Sequence, residues 1–176
     1  MKKKTNKSIL RKGFIFLGLF LLYFLFIYII LNLSFLYNYI NYFFGITSNF
    51  VVNHIFLIPS SLSFDYFSSV SVITITSLNY PIYINSLCTG LLELSLLVSA
   101  ILATTFVSWR KRLTWVFVSL GVVIVFNIIR ISFTTFLITK LNLETASFFH
   151  GFLFRFFMVL IIIGVYYLFL RNANKR

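Results

Sequence analysis

The chain has 176 residues, of which 60% are hydrophobic, 20% aromatic and only 10% charged, and this composition excludes an ordinary soluble domain. Fifteen lysines and arginines against three acids give a net charge of +12, which in a soluble chain would suggest nucleic acid; here the bases sit at the ends of apolar runs, as in an integral membrane protein. One cysteine excludes an internal disulfide, and with only two histidines, His54 and His150, there is no recognisable zinc spacing and no cofactor motif.

In chain order, residues 1–13 form a basic N-terminus with six lysines and arginines, expected to be cytoplasmic. Residues 14–33 form a first span, read as an uncleaved anchor because the residues after it are too bulky for a signal-peptidase site. In the next stretch Asn38, Asn41, Gly45, Asn49 and Asn53 recur at spacings of three and four, which predicts an amphipathic helix. Topological parity places that helix on the outer face, interfacial or re-entrant, with His54 as an interfacial residue. After Pro59, residues 60–69 read as a serine-rich loop. Residues 70–77 and 80–85 are β-branched and partly alternating around Leu78-Asn79-Tyr80-Pro81, which predicts either a small extracytoplasmic hairpin or a plain loop.

Three further runs, 90–108, 113–139 and 151–170, are long enough to cross a bilayer. Arg110, Lys111 and Arg112 read as a tight turn between the first two, and Arg171, Lys175 and Arg176 follow the last. The predicted fold is therefore an all-α polytopic membrane protein. Residues 14–176 form a single domain of four transmembrane helices, residues 34–87 are extracytoplasmic, and both termini are cytoplasmic.

Measured from these basic anchors, Cys88, Arg130 and His150 lie about 33, 27 and 32 Å along their helices, close to the thickness of a hydrocarbon core of about 30 Å. A thiol, a guanidinium and an imidazole should thus converge at one outer interface. That set suits nucleophilic acyl transfer. A cation or a helix N-terminus beside a cysteine favours the thiolate, and Gly90, at the start of the following helix, leaves space for a substrate chain. His150 can act as general base and then as acid towards a leaving amine. Arg130, costly inside a membrane unless it functions, suits the developing charge on a carbonyl oxygen. Two neighbours have open roles. Glu93, about 7.5 Å further along the helix, either pairs with Arg130 or Arg155 or is protonated and bonded to a hydroxyl. Asn127, on the face of Arg130, either orients the guanidinium or the substrate backbone or packs between helices.

The segments Asn85-Ser86-Leu87-Cys88-Thr89-Gly90-Leu91, Asn127-Ile128-Ile129-Arg130 and Phe149-His150-Gly151, in this order and on consecutive spans, resemble the archaeosortase/exosortase family of membrane cysteine transpeptidases. The resemblance implies a nucleophilic Cys88 assisted by Arg130 and by a third residue. Histidine fills that place in many members and arginine in some archaeal ones, so Arg155 competes with His150. It also implies substrates that are exported proteins carrying a C-terminal recognition motif, a transmembrane helix and a basic tail. Cleavage before that helix would give a thioester, and an acceptor (water, an amine or a lipid head group) would take up the new C-terminus. The competing reading is a non-catalytic membrane scaffold or transporter subunit with Arg130, Glu93 and Asn127 along a polar seam. Nucleic acid is not an expected partner, because topology already accounts for the bases; membrane lipids are.

Overall fold

A computed structural model describes residues 2–65, 68–78, 80–141 and 143–173, with the side chains of residues 2–9, 80, 86 and 87 left aside. Asn79 of the anticipated turn and the terminal bases Lys175 and Arg176 lie outside the described residues.

The first helix, α1 (Lys2–Leu31), joins the basic segment to the apolar run without a break. Phe16, Phe20, Phe24 and Tyr28 stack at i,i+4 spacing along one face, with ring centroids 6.3, 6.3 and 5.8 Å apart. A short bend at Asn32 and Leu33 leads into α2 (Ser34–His54), the anticipated amphipathic helix. Its polarity is turned inward. Asn41, Gly45 and Ser48 are buried, while Phe35, Tyr39, Tyr42, Phe43, Ile46 and Phe50 are exposed. His54 is on the outer side, stacked on Phe50 at 4.3 Å.

What the polar face of α2 covers is a three-stranded antiparallel sheet in the order β1-β2-β3, built from β1 (Ser60–Asp65), β2 (Val70–Ile75) and β3 (Tyr80–Ile84). The hairpin of β2 and β3 is present, with Val72 opposite Tyr83 and Ile73 opposite Ile82. The stretch read as a serine-rich loop instead supplies β1. Leu62 and Phe64 alternate with exposed Ser61, Ser63 and Asp65, so a period of two was there beneath the serine composition. Helix and sheet touch closely: the Asn41 amide donates to the Ser69 carbonyl at 2.7 Å, and Ser71 Oγ donates to the Asn41 carbonyl at 2.8 Å. A Cβ on Gly45 would lie 2.5 Å from Ser71 Oγ, so glycine is what permits this approach. A second polar knot forms where Ser60 Oγ donates to Asn49 Oδ1 at 2.8 Å and the Ser60 N–H to Asn53 Oδ1 at 2.9 Å. Asn41, Asn49 and Asn53 thus tie α2 to the sheet and its turn.

After the sheet come a single helical turn, α3 (Ser86–Thr89), and then α4 (Leu91–Ala103). A long helix, α5 (Trp109–Lys140), follows, and then α6 (Leu143–Phe148), a π-helical turn (Phe149–Leu153) and α7 (Phe154–Ala173). Three helical segments are long and apolar enough to cross a membrane: Leu10–Leu31, Trp109–Lys140 and Leu143–Ala173. The run expected as a span at 90–108 is a shorter apolar helix of 13 residues, about 20 Å long. The basic triplet also differs from expectation. The turn is made by residues 104–108, and Arg110, Lys111 and Arg112 occupy the first turn of α5. Arg112 reaches back from there, donating from Nη1 to the Leu102 carbonyl at 2.7 Å while its guanidinium lies over Trp109 at 4.8 Å. This contact satisfies one of the carbonyls left open at the end of α4. The main apolar core joins α4, α5 and α7 through Leu97, Ile101, Val123, Met158 and Phe169.

Candidate active site

Cys88 stands at the junction of sheet and helices. It lies in α3, with its N–H donating to the Asn85 carbonyl at 2.9 Å, and is only partly exposed. Cys88 therefore sits in a helical turn of its own rather than freely ahead of α4. Gly90 separates the two, with φ of +68°, and its carbonyl accepts the first bond of α4 from the Leu94 N–H at 2.9 Å. That left-handed backbone is one L side chains rarely adopt.

Gly90 was expected to leave room for substrate, and the structure corrects this. A Cβ there would collide with the Asn127 side-chain amide, so the space is filled from within the fold. Asn127 is fully buried, and its Nδ2 donates to the Val123 carbonyl at 2.8 Å. Of the two roles open to Asn127, packing between helices is the one its surroundings present, and this contact sets the level at which α4 meets α5.

One turn further along α5, Arg130 is the largest fully buried side chain among the described residues, at 1% exposure. Its Nη2 donates to the His150 backbone carbonyl at 3.2 Å and faces His150 Nε2 at 3.4 Å. The same Nε2 lies 3.6 Å from Cys88 Sγ. The thiol, imidazole and guanidinium expected to meet from three segments thus do so around a single ring nitrogen. His150 belongs to the π-helical turn, a wide turn often found at functional sites. Glu93 is half-buried on α4. Arg155 is exposed on α7; its charge opposes that of Arg130, whereas the His150 ring touches both Cys88 and Arg130.

A fourth residue joins the three. Thr134 Oγ1 lies 3.2 Å from His150 Nδ1 and donates its one hydrogen to the Arg130 carbonyl at 2.7 Å. Having spent that hydrogen, the hydroxyl can only accept from the ring, so Nδ1 carries the proton. Arg130 leads to the same tautomer by a separate route, because a guanidinium only donates and Nε2 must offer it a lone pair. The neutral ring is therefore the Nδ1–H form, its basic nitrogen turned to the thiol. Sequence reasoning missed Thr134, although its place four residues after Arg130 puts it on the same helical face.

Beside the thiol lies a cleft of about 190 Å³, lined by β3 (Ile82, Tyr83, Ile84), α5 (Ile131, Ile138) and α6 (Leu143, Ala146). Its walls are almost wholly apolar. Among the described residues no group of three or more histidines, cysteines, aspartates or glutamates is arranged to hold a metal ion.

Residues 10–170 match the family model described as transmembrane exosortase. No curated protein and no solved structure matches the chain.

Proposed function

Because the chain belongs to the transmembrane exosortase family, we propose that it is a membrane-embedded cysteine transpeptidase that cuts exported, membrane-tethered proteins just before their C-terminal anchoring helix. The observation that carries this reading is the position of His150 Nε2, 3.6 Å from Cys88 Sγ and 3.4 Å from Arg130 Nη2. One lone pair there can take the thiol proton while a fixed cation stands beside the reacting centre.

The steps follow from these groups. Nε2 removes the Cys88 proton, and the thiolate attacks the scissile carbonyl carbon. The ring is then doubly protonated, and Arg130 Nη2 loses the lone pair it faced; it turns to the negative oxygen of the tetrahedral adduct. Collapse of the adduct breaks the C–N bond, Nε2–H protonates the departing amine, and the acyl group stays on sulfur as a thioester. An acceptor nucleophile, whether water, an amine or a lipid head group, then gives up its proton to Nε2 as it attacks the thioester carbon; the C–S bond breaks, the acyl chain leaves on the acceptor, and Nε2–H returns its proton to the Cys88 sulfur. Thr134 keeps Nδ1 protonated throughout, so that Nε2 alone cycles.

The placement in the bilayer extends the same proposal. The start of α4 meets α5 at Asn127 and its end meets α5 at Arg112, levels about 22 Å apart along the helix. With the turn of residues 104–108, α4 serves as the fourth crossing, from the outer to the inner side. The basic clusters then mark the cytoplasmic face, the sheet and Cys88 the outer one, and the exposed aromatic face of α2 lies against lipid.

The deciding experiment compares Cys88→Ala and Cys88→Ser with the parent chain, scoring insertion, abundance and the C-termini of membrane-anchored exported proteins. Accumulation of uncut substrate at normal abundance supports the assignment, as does a thioester trapped on Cys88. Normal processing by Cys88→Ala refutes it in favour of a non-catalytic scaffold or transporter subunit.

A further inference from the structure

The edge of the small sheet beside Cys88 carries a specific hydrogen-bonding pattern. Among the described residues β3 is the last strand and pairs with β2 alone. In an antiparallel ladder the N–H and C=O of a given residue point to the same side, and successive residues alternate sides. The Tyr83 carbonyl accepts a long hydrogen bond from the Cys88 thiol, with Sγ 4.0 Å away, and so points away from β2, its second lone pair remaining for a further donor. By the alternation its N–H points outward as well, while Ile82 and Ile84 carry the ladder bonds to Ile73 and Ser71. The other outward residue, Pro81, has no N–H to offer. The free edge therefore presents one complete donor–acceptor pair, at Tyr83, beside the sulfur.

We propose that the segment of substrate around the scissile bond binds as an added strand on β3, pairing its backbone with the N–H and C=O of Tyr83 and pointing uncharged side chains into the adjoining cleft. An added strand lies about 4.8 Å from its neighbour, and the cleft lined by Ile82, Ile131, Ile138, Leu143 and Ala146 opens along this edge. The occupant is an extended peptide because its backbone supplies the complement to Tyr83. It is uncharged at these positions because the lining offers almost no polar surface to a charge. The Pro81 position limits the pairing to a short stretch, which suits a substrate that must be released. The Tyr83 side chain, 62% exposed, takes no part in the edge pairing. This deepens the transpeptidase reading above and rests on it.

The test separates backbone from side chain. In membranes of cells making the full chain, substrates are defined as exported anchored proteins whose shortened C-termini, read by mass spectrometry, disappear in Cys88→Ala. Tyr83→Pro removes the outward N–H and leaves the bonds to β2 in place; it should lower processing about threefold to tenfold, the worth of one net hydrogen bond. Tyr83→Ala keeps the N–H while losing the same side chain, so processing in Tyr83→Pro should also fall about threefold to tenfold below that in Tyr83→Ala. Alkylation of Cys88 by iodoacetamide at the parental rate in both variants shows that the site is intact. Undiminished processing in Tyr83→Pro, or equal loss in both variants, overturns the strand pairing. Should Tyr83→Pro fail to fold, the substrate provides the second measurement. Proline in place of each residue just before the cut bond should block processing at alternate positions where alanine does not, and tolerance of proline throughout overturns the proposal. If Cys88→Ala processes normally, the transpeptidase reading itself is what has failed.

Discussion

Replacing Thr134 by valine keeps the shape of the side chain and removes one oxygen. The Arg130 carbonyl loses a hydroxyl donor but retains the helical N–H of α5, so folding should change little. His150 Nδ1 loses its acceptor at 3.2 Å, and with it the bond that holds the proton on the side away from sulfur. A neutral hydrogen bond is worth about 0.5–1.5 kcal/mol net, so the ratio of rings with a free Nε2 to rings with a free Nδ1 should fall by about threefold to tenfold, and processing should fall with the share of the former. The upper bound is loss of general-base catalysis altogether, about 10²- to 10⁴-fold. Thr134→Ser restores the oxygen and should return the rate to within about twofold of the parent. The assay is the rate of substrate shortening in membranes, with the rate of Cys88 alkylation by iodoacetamide as a second readout that needs no substrate. Full activity in Thr134→Val, or equal loss in Thr134→Ser, would refute the tautomer argument.

Other outcomes are equally accessible. Gly90→Ala should destabilise the fold by about 1–3 kcal/mol, from left-handed backbone strain and the collision with Asn127; Asn127→Ala added to it should recover only part of the loss, measured by thermal unfolding in detergent. Gly45→Ala should loosen α2 from the sheet, because its Cβ meets Ser71, at a cost of about 1–3 kcal/mol, seen as faster proteolysis between α2 and β2. Since Cys88 is the only cysteine, a membrane-impermeant maleimide added to intact cells should label the chain, and Cys88→Ser should abolish the signal; labelling only after permeabilisation would reverse the proposed orientation.

Spans and site partners were legible to different degrees, for a physical reason. The meeting of Cys88, Arg130 and His150 could be anticipated because helical rise converts residue counts into depth. The count for Cys88 was nevertheless too generous: residues 104–108 fold back, and Arg112 ties to Leu102 across the turn, so less helix spans the same interval. β1 was hidden by composition, its alternation resting on only Leu62 and Phe64. The inward polarity of α2 was not readable from its periodicity, which fixes that a polar stripe exists but not what it faces; its asparagines find their partners in the sheet and its turn, 7 to 30 residues away in sequence. The contact between Gly90 and Asn127 is likewise tertiary. Thr134 needed only the step from Arg130 to the next turn of the same face.

The wide turn at Phe149–Leu153 holds one more residue per hydrogen-bonded loop than an ordinary helical turn. It offsets His150, which lies within it, and everything before it from the exposed apolar stripes of α7. Deleting a single residue within it would restore ordinary winding and swing the imidazole by about 100° around the helix axis, away from sulfur, with α7 still seated in the bilayer. The alignment of His150 with Cys88 and the register of α7 are in this way phased independently along one continuous stretch of chain.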